Sequence, residues 1–139
     1  MGVLSAFLNP EPMEQEKKVI VSNRFKDENG QVVPFIIKSI SQDVNERLTK
    51  KCTTTKTVKG QTVKNFDTAR YTSALMVECC VQPDFADADL CKRYGCIDPL
   101  DVPARMLTSG EYTRLGEEIM SLNGYDIDPV TKAEEEAKN

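Results

Sequence analysis

Apolar residues near the N-terminal end of this chain run together in short β-branched stretches, whereas from Asn65 onward they recur at a helical spacing. The stretch KKVIVS, Lys17 to Ser22, and the stretch QVVPFIIKSI, Gln31 to Ile40, both read as strands. Asp27-Glu28-Asn29-Gly30 lies between them and supplies a turn, so the pair is predicted to be a hairpin. Pro34 has no N–H for a ladder and is expected at an edge, or with that missing donor facing solvent. Ser41 then has the form of an N-cap for a short helix with Val44 and Leu48 one turn apart and Asp43 near its positive end. That helix fades by Cys52. The Thr/Lys-rich run TTTKTVKGQTVK, residues 53–64, lacks any apolar alternation and reads as a mobile loop, with a second, weaker hairpin about Lys59-Gly60 as the alternative.

The helical part opens with two apolar stripes. Phe66, Ala69, Ser73, Met76, Val77 and Cys80 form one, and Tyr71, Leu75 and Cys79 the other, so a helix from Asn65 to about Pro83 is predicted to be apolar on two sides and central. Asp87 caps a short helix carrying Leu90 and Cys91, which Gly95 ends. Asp98 or Asp101 caps the next, with Pro99 and Pro103 in its first turn and Met106 and Leu107 inward. Thr108-Ser109-Gly110-Glu111 has the form of a capping box, followed by Tyr112, Leu115, Ile119 and Leu122 on one face and a stop at Asn123-Gly124. The fold class is therefore α+β: an N-terminal β-hairpin or small antiparallel sheet packed on four to five α-helices, as a single domain over residues 17–124. Residues 1–16 form an apolar arm with a Pro- and Glu-rich linker, and residues 125–139 a charged tail expected to be disordered.

Composition narrows the chemistry. With 139 residues and a formal charge of −4, the chain lacks the positive face that nucleic acid or an anionic membrane would need. The opening MGVLSAFLNPEPMEQEKK has no basic region ahead of its short apolar run, and no later segment is long enough to span a membrane, so a cytosolic location is expected. There is no histidine and no tryptophan, which removes Cys-His zinc sites, Ser-His-Asp triads and every histidine acid/base mechanism. Five cysteines remain. Cys79, Cys80, Cys91 and Cys96 are not spaced as close ligand pairs, and neighbours on a helix diverge by about 100°, so they are expected to fill the core, as is Cys52. No catalytic residue, metal ligand or cofactor is expected.

Two features point outward. Arg47, Lys50, Lys51, Lys56, Lys59 and Lys64 occur without any acidic residue between Glu46 and Asp67, which reads as a solvated loop, with an acidic protein partner ahead of nucleic acid as the functional alternative. Val3, Leu4, Phe7 and Leu8 form an apolar cluster that the linker separates from the body, suited to one helical turn docked on the body or on a partner. Leu4, Phe7 and Leu8, together with Phe85, are the candidate partner-binding residues.

Four motifs in order, FLNP, SNRFKDENGQVVPFIIKSIS, PDFADADLCKRYG and MLTSGEYTRLGEEIMSLNGY, make the chain resemble the XkdN-like tail assembly chaperones of long-tailed phages and defective prophages. The departure from that family lies mainly at residues 53–64. The resemblance implies a non-enzymatic morphogenesis factor of the bacterial host cytoplasm that binds the long, largely helical tape measure protein and is absent from the finished virion. The tail tube protein and a second copy of the chain are the further partners it suggests. A structural virion protein, such as a head-tail or tail completion protein, is the alternative, followed by a small DNA-binding regulator.

Overall fold

Local chemistry sets most of the boundaries in the computed structural model, which describes residues 2–12 and 16–125. Strand β1, Glu16–Val19, pairs antiparallel with β2, Phe35–Lys38, in the register Glu16↔Lys38 to Val19↔Phe35. The other side of β2 is taken by β5, Cys80–Gln82, again antiparallel, so β2 is the central strand of three. Of the two placements expected for Pro34, an edge strand is thus not the one found. Pro34 instead immediately precedes β2, where its missing N–H removes nothing from the ladder, and its carbonyl accepts from Gln82 Nε2 at 2.9 Å.

The turn at Asp27–Gly30 forms as predicted, with Asp27 Oδ1 accepting from the Asn29 and Gln31 amides at 2.9 and 3.0 Å. The strands it joins are shorter than the sequence suggests, and residues 20–34 make an excursion between them. Packing and hydrogen bonds hold that excursion down. Val21 is buried, Phe25 stacks tilted on Phe35 with ring centroids 5.5 Å apart, and Arg114 donates to the Val21 carbonyl at 2.7 Å.

Helix α1, Leu4–Leu8, belongs to the N-terminal arm. Ser41 caps α2, Gln42–Lys51, its hydroxyl accepting from the Val44 amide. The segment after α2 corrects the loop reading: β3, Thr53–Val58, and β4, Gln61–Phe66, pair without a break from Thr53↔Phe66 to Val58↔Gln61. Lys59 and Gly60 both take positive φ, +52° and +78°, the geometry of the two-residue turn whose twist matches a hairpin. Both faces are exposed, which is why no apolar alternation marked these strands.

Helix α3, Thr68–Cys79, is shorter at both ends than its stripes predict. Asp67 caps it by accepting from the Arg70 amide at 2.9 Å, which leaves Phe66 in β4, half exposed and tilted against Tyr71. Cys80 leaves the helix because its backbone pairs with Ile37 in the sheet. The two apolar sides do place α3 centrally, against α2, α5, α6, β5 and the turn at Pro99–Asp101. Asp87 caps α4, Ala88–Arg93, and the helix ends with the Gly95 amide on Lys92 and the Cys96 amide on Cys91, a Schellman closure that requires the +65° φ of Gly95. Asp98, not Asp101, supplies the next cap, through a 3₁₀ turn at Pro99–Asp101 that leads into α5, Val102–Met106.

Helix α6, Ser109–Met120, starts in the predicted capping box, with Glu111 N donating to Thr108 Oγ1 and Thr108 N to Glu111 Oε1. Gly124, with φ +88°, ends the wide turn that follows. Val19, Val21, Phe35 and Ile37 of the sheet side form one core with Met76, Cys79, Phe85, Val102, Leu115 and Ile119. The α+β class is thus observed, with two small antiparallel sheets and six helices among the described residues. The predicted tail lies outside the described residues, apart from Tyr125.

Candidate functional site

A helix that is apolar on two sides needs cover on both, and among the described residues α3 does not have it along its whole length. Between α3 and α6 runs a groove of about 680 Å³, floored by Leu75, Met76 and Ile119 and walled by Tyr71, Tyr112 and Met120. Thr68, Thr72, Thr113, Glu117 and Ser121 make a polar rim. Gly116 on α6 keeps the groove open, since a Cβ there would meet Met76 Cε at 3.9 Å and any longer side chain would grow into the space. The walls are held from behind: the Tyr71 hydroxyl donates to Asn45 Oδ1, and the Tyr112 hydroxyl lies 3.5 Å from Ser73 Oγ. An apolar channel with a polar rim is suited to burying one face of an amphipathic segment. It offers no reacting group.

The arm presents the complementary chemistry. Val3, Leu4, Phe7 and Leu8 are 67% to 78% exposed, so three of the four candidate partner-binding residues stand in solvent. Phe85 does not and must be corrected: it is fully buried in the core and unavailable to a partner. The acidic residues around it explain this. Asp84 Oδ1 accepts from the Ala86 amide and Asp87 Oδ1 from the Asp89 and Leu90 amides, two local turns that keep the carboxylates outside while Phe85 turns inward.

The cysteines and carboxylates have structural surroundings. Cys52, Cys79, Cys80 and Cys96 are buried and Cys91 is half buried. Burial pushes the Cys79 thiol up to about 11 and the Cys80 thiol up to about 12, so both hold their protons at neutral pH and are poor nucleophiles and ligands. Among the described residues no three Cys, Asp or Glu side chains converge as a metal site would require. Glu111, nearly buried, receives Arg24 Nε at 2.9 Å and Nη2 at 2.7 Å, while the same Nη2 also donates to the Met106 carbonyl. The Arg24 hydrogen bonds, together with those from Ser22 and the Thr108 amide, hold the Glu111 carboxyl down at about 2 against the cost of desolvation. This is a clamp joining the 20–34 excursion to the start of α6. Arg70 pairs similarly with Asp98, and its Nη1 lies 3.7 Å from Asp101. The basic residues Lys56, Lys59 and Lys64 project from the exposed β3–β4 hairpin, beside Lys50 and Lys51 at the end of α2.

Sequence reasoning did not find the groove. The available signals were the second stripe of α3 and the glycine at position 116 inside an otherwise well-formed helix, a residue that weakens a helix unless its missing side chain has a use.

Comparison with known proteins gives a consistent set of matches. The family described as "Phage XkdN-like tail assembly chaperone protein, TAC" matches residues 4–138. The "Phage-like element PBSX protein XkdN" of Bacillus subtilis (strain 168) is 39% identical over 139 residues, covering 98% of this chain and 93% of the relative. A protein named YqbN of the same strain, described as uncharacterized, matches with the same identity and coverage. A crystal structure of the protein YqbN superposes with a TM-score of 0.74 at 33% identity, covering 91% of this chain and 99% of that one.

Proposed function

Because this chain belongs to the XkdN-like tail assembly chaperone family of phages, we propose that it acts by binding alone, and that it holds the tape measure protein while the tail is built. The observation that carries this reading is the apolar groove between α3 and α6, uncovered among the described residues and suited to one face of a helix. A largely helical tape measure protein offers many such faces in series. Each single contact is modest, and many copies along one long partner supply avidity without a grip that tube subunits could not displace. The chaperone then works in the host cytoplasm and leaves before the virion is finished.

Co-expression with a tagged tape measure protein tests the proposal. The wild-type chain should co-purify with it, and Met120→Glu, which puts a charge on the wall of the groove, should abolish retention. If the tape measure protein retains neither chain, the partner is wrong. If it retains both equally, the groove is the wrong surface. Mass spectrometry of purified virions should find no copies of this chain, and stoichiometric copies would identify a structural component instead.

A further inference from the structure

The cations of this acidic chain are not spread evenly along it. Six of its 18 basic residues and none of its 22 acidic ones lie between Glu46 and Asp67. The fold turns that stretch into the exposed end of α2 followed by the β3–β4 hairpin, and among the described residues none of the six is in an ion pair.

The hairpin is also open as a sheet. It has two strands, so each has one edge without a neighbour among the described residues. A two-residue turn leaves its flanking pair, Val58 with Gln61, hydrogen-bonded, so the alternate pairs, Thr57 with Thr62 and Thr55 with Lys64, direct their amides and carbonyls outward. The open edge of β3 therefore presents the backbone of Thr55 and Thr57, with Lys51 ahead of the strand, Lys56 within it and Lys59 beyond it. Lys56 shares a face with Val58, and with Val63 across the ladder, and both valines are half exposed.

We propose that the β3 edge is a docking site for an acidic, extended segment of a partner protein, which adds to the hairpin as a third strand. Main-chain hydrogen bonds supply the pairing, a carboxylate opposite Lys56 supplies the selection, and an apolar side chain two residues away covers Val58. An open edge recognises polypeptide, because a main chain offers donors and acceptors at the strand repeat of about 3.3 Å per residue. A nucleic acid would meet the lysines but neither the edge nor the valines, and the hairpin's aromatic, Phe66, is tilted against Tyr71. A second copy of the hairpin would set lysine against lysine. The chain's own acidic run, Glu134-Glu135-Glu136, has no apolar side chain larger than alanine two residues from any of its glutamates. None of residues 47–66 lines the α3/α6 groove, so the hairpin site stands or falls separately from the function proposed above.

Amide NMR titration of the full-length chain with a capped peptide, Glu-Thr-Val-Thr-Glu-Thr-Glu, is the test. At up to about a millimolar peptide, the amides of β3 should shift, with those of Thr55 and Thr57 moving most. Binding should weaken about tenfold between about 50 and about 500 mM salt. Lys56→Glu should weaken it by about tenfold or more. Thr55→Pro, which removes an outward amide from β3, should abolish it; Lys56→Glu decides the matter if the proline opens the hairpin. A peptide with lysine in place of glutamate, and one N-methylated at its threonine amides, should leave the spectrum unchanged. The proposal is overturned if β3 does not respond, if Lys56→Glu binds as tightly as the wild type, or if either control peptide binds as well. Equal shifts from a short oligothymidylate would make the surface a polyanion site, and also overturn it. So would movement of the β3 amides on substituting Glu134→Gln, Glu135→Gln and Glu136→Gln in the peptide-free chain, which would give the edge to the chain's own tail.

Discussion

The two antiparallel sheets of this protein are similar in their hydrogen bonding and opposite in what holds them. In the three-stranded sheet, Val19, Phe35, Ile37 and Cys80 turn into a core completed by α3, α5 and α6. In the β3–β4 hairpin nearly every residue is exposed on both faces, and a two-residue turn and threonine-rich strands carry the pairing. A buried sheet is held by the whole fold, whereas an isolated hairpin is marginal and depends on its turn and on its attachment. Here the attachment is the Asp67 amide, which donates to the Cys52 carbonyl at 2.8 Å and closes the hairpin base between α2 and α3. The difference is one of coupling. Changes in the first sheet should spread to the whole molecule, and changes in the second should stay local.

The largest expected effect breaks the first sheet. Ile37→Ala leaves a cavity in the centre of the core and should lower the unfolding free energy by about 2 to 4 kcal/mol, read by urea denaturation. A loss as small as that of a surface residue would mean that the sheet is not coupled to the helices.

Glu111→Gln comes next, because it weakens both the Arg24 clamp and the capping box. A loss of about 1 to 3 kcal/mol is expected near neutral pH. Since the Glu111 carboxyl titrates near 2 when folded and at an ordinary 4.5 otherwise, its contribution is present above about pH 4.5 and is lost as the pH falls through about 2. The gap in melting temperature between wild type and variant should therefore close across that window, and a constant gap would deny the clamp its charge.

Cys80→Ser places a hydroxyl where a thiol is buried and should cost about 1 to 2 kcal/mol. The Gln82 carbonyl, which the Cys80 thiol already reaches at 3.4 Å, limits the penalty. In the wild-type protein, a thiol reagent should modify Cys79 and Cys80 only at the rate of global unfolding, and rapid labelling in native buffer would contradict their burial.

The smallest effect sharpens the comparison. Gly60→Ala forces a side chain onto a φ of +78° and should open the hairpin, accelerating amide exchange along β3 and β4, while changing global stability by less than about 0.5 kcal/mol. A large global loss would show that the hairpin is part of the cooperative core after all.

The sequence by itself determined the features that depend on atoms a few residues apart. The caps at Ser41, Asp87 and Thr108 and the stop at Gly95 were legible, and the cap at Asp98 was narrowed to Asp98 or Asp101, because a side-chain oxygen and the amides it satisfies lie within one helical turn. The β-branched runs announced β1 and β2 for a similar reason. Only the tertiary structure decided where α3 ends, since Phe66 and Cys80 leave the helix to satisfy strands that are distant in sequence. It also decided that Glu111, legible as a capping-box residue, serves Arg24 across 87 residues, and that Phe85 points into the core rather than toward a partner. The second hairpin stood only as the alternative to a loop, because strands exposed on both faces have no alternation to read. The groove escaped because an uncovered helix face is a property of which elements meet, and burial is settled by the packing of the whole chain rather than by any one segment.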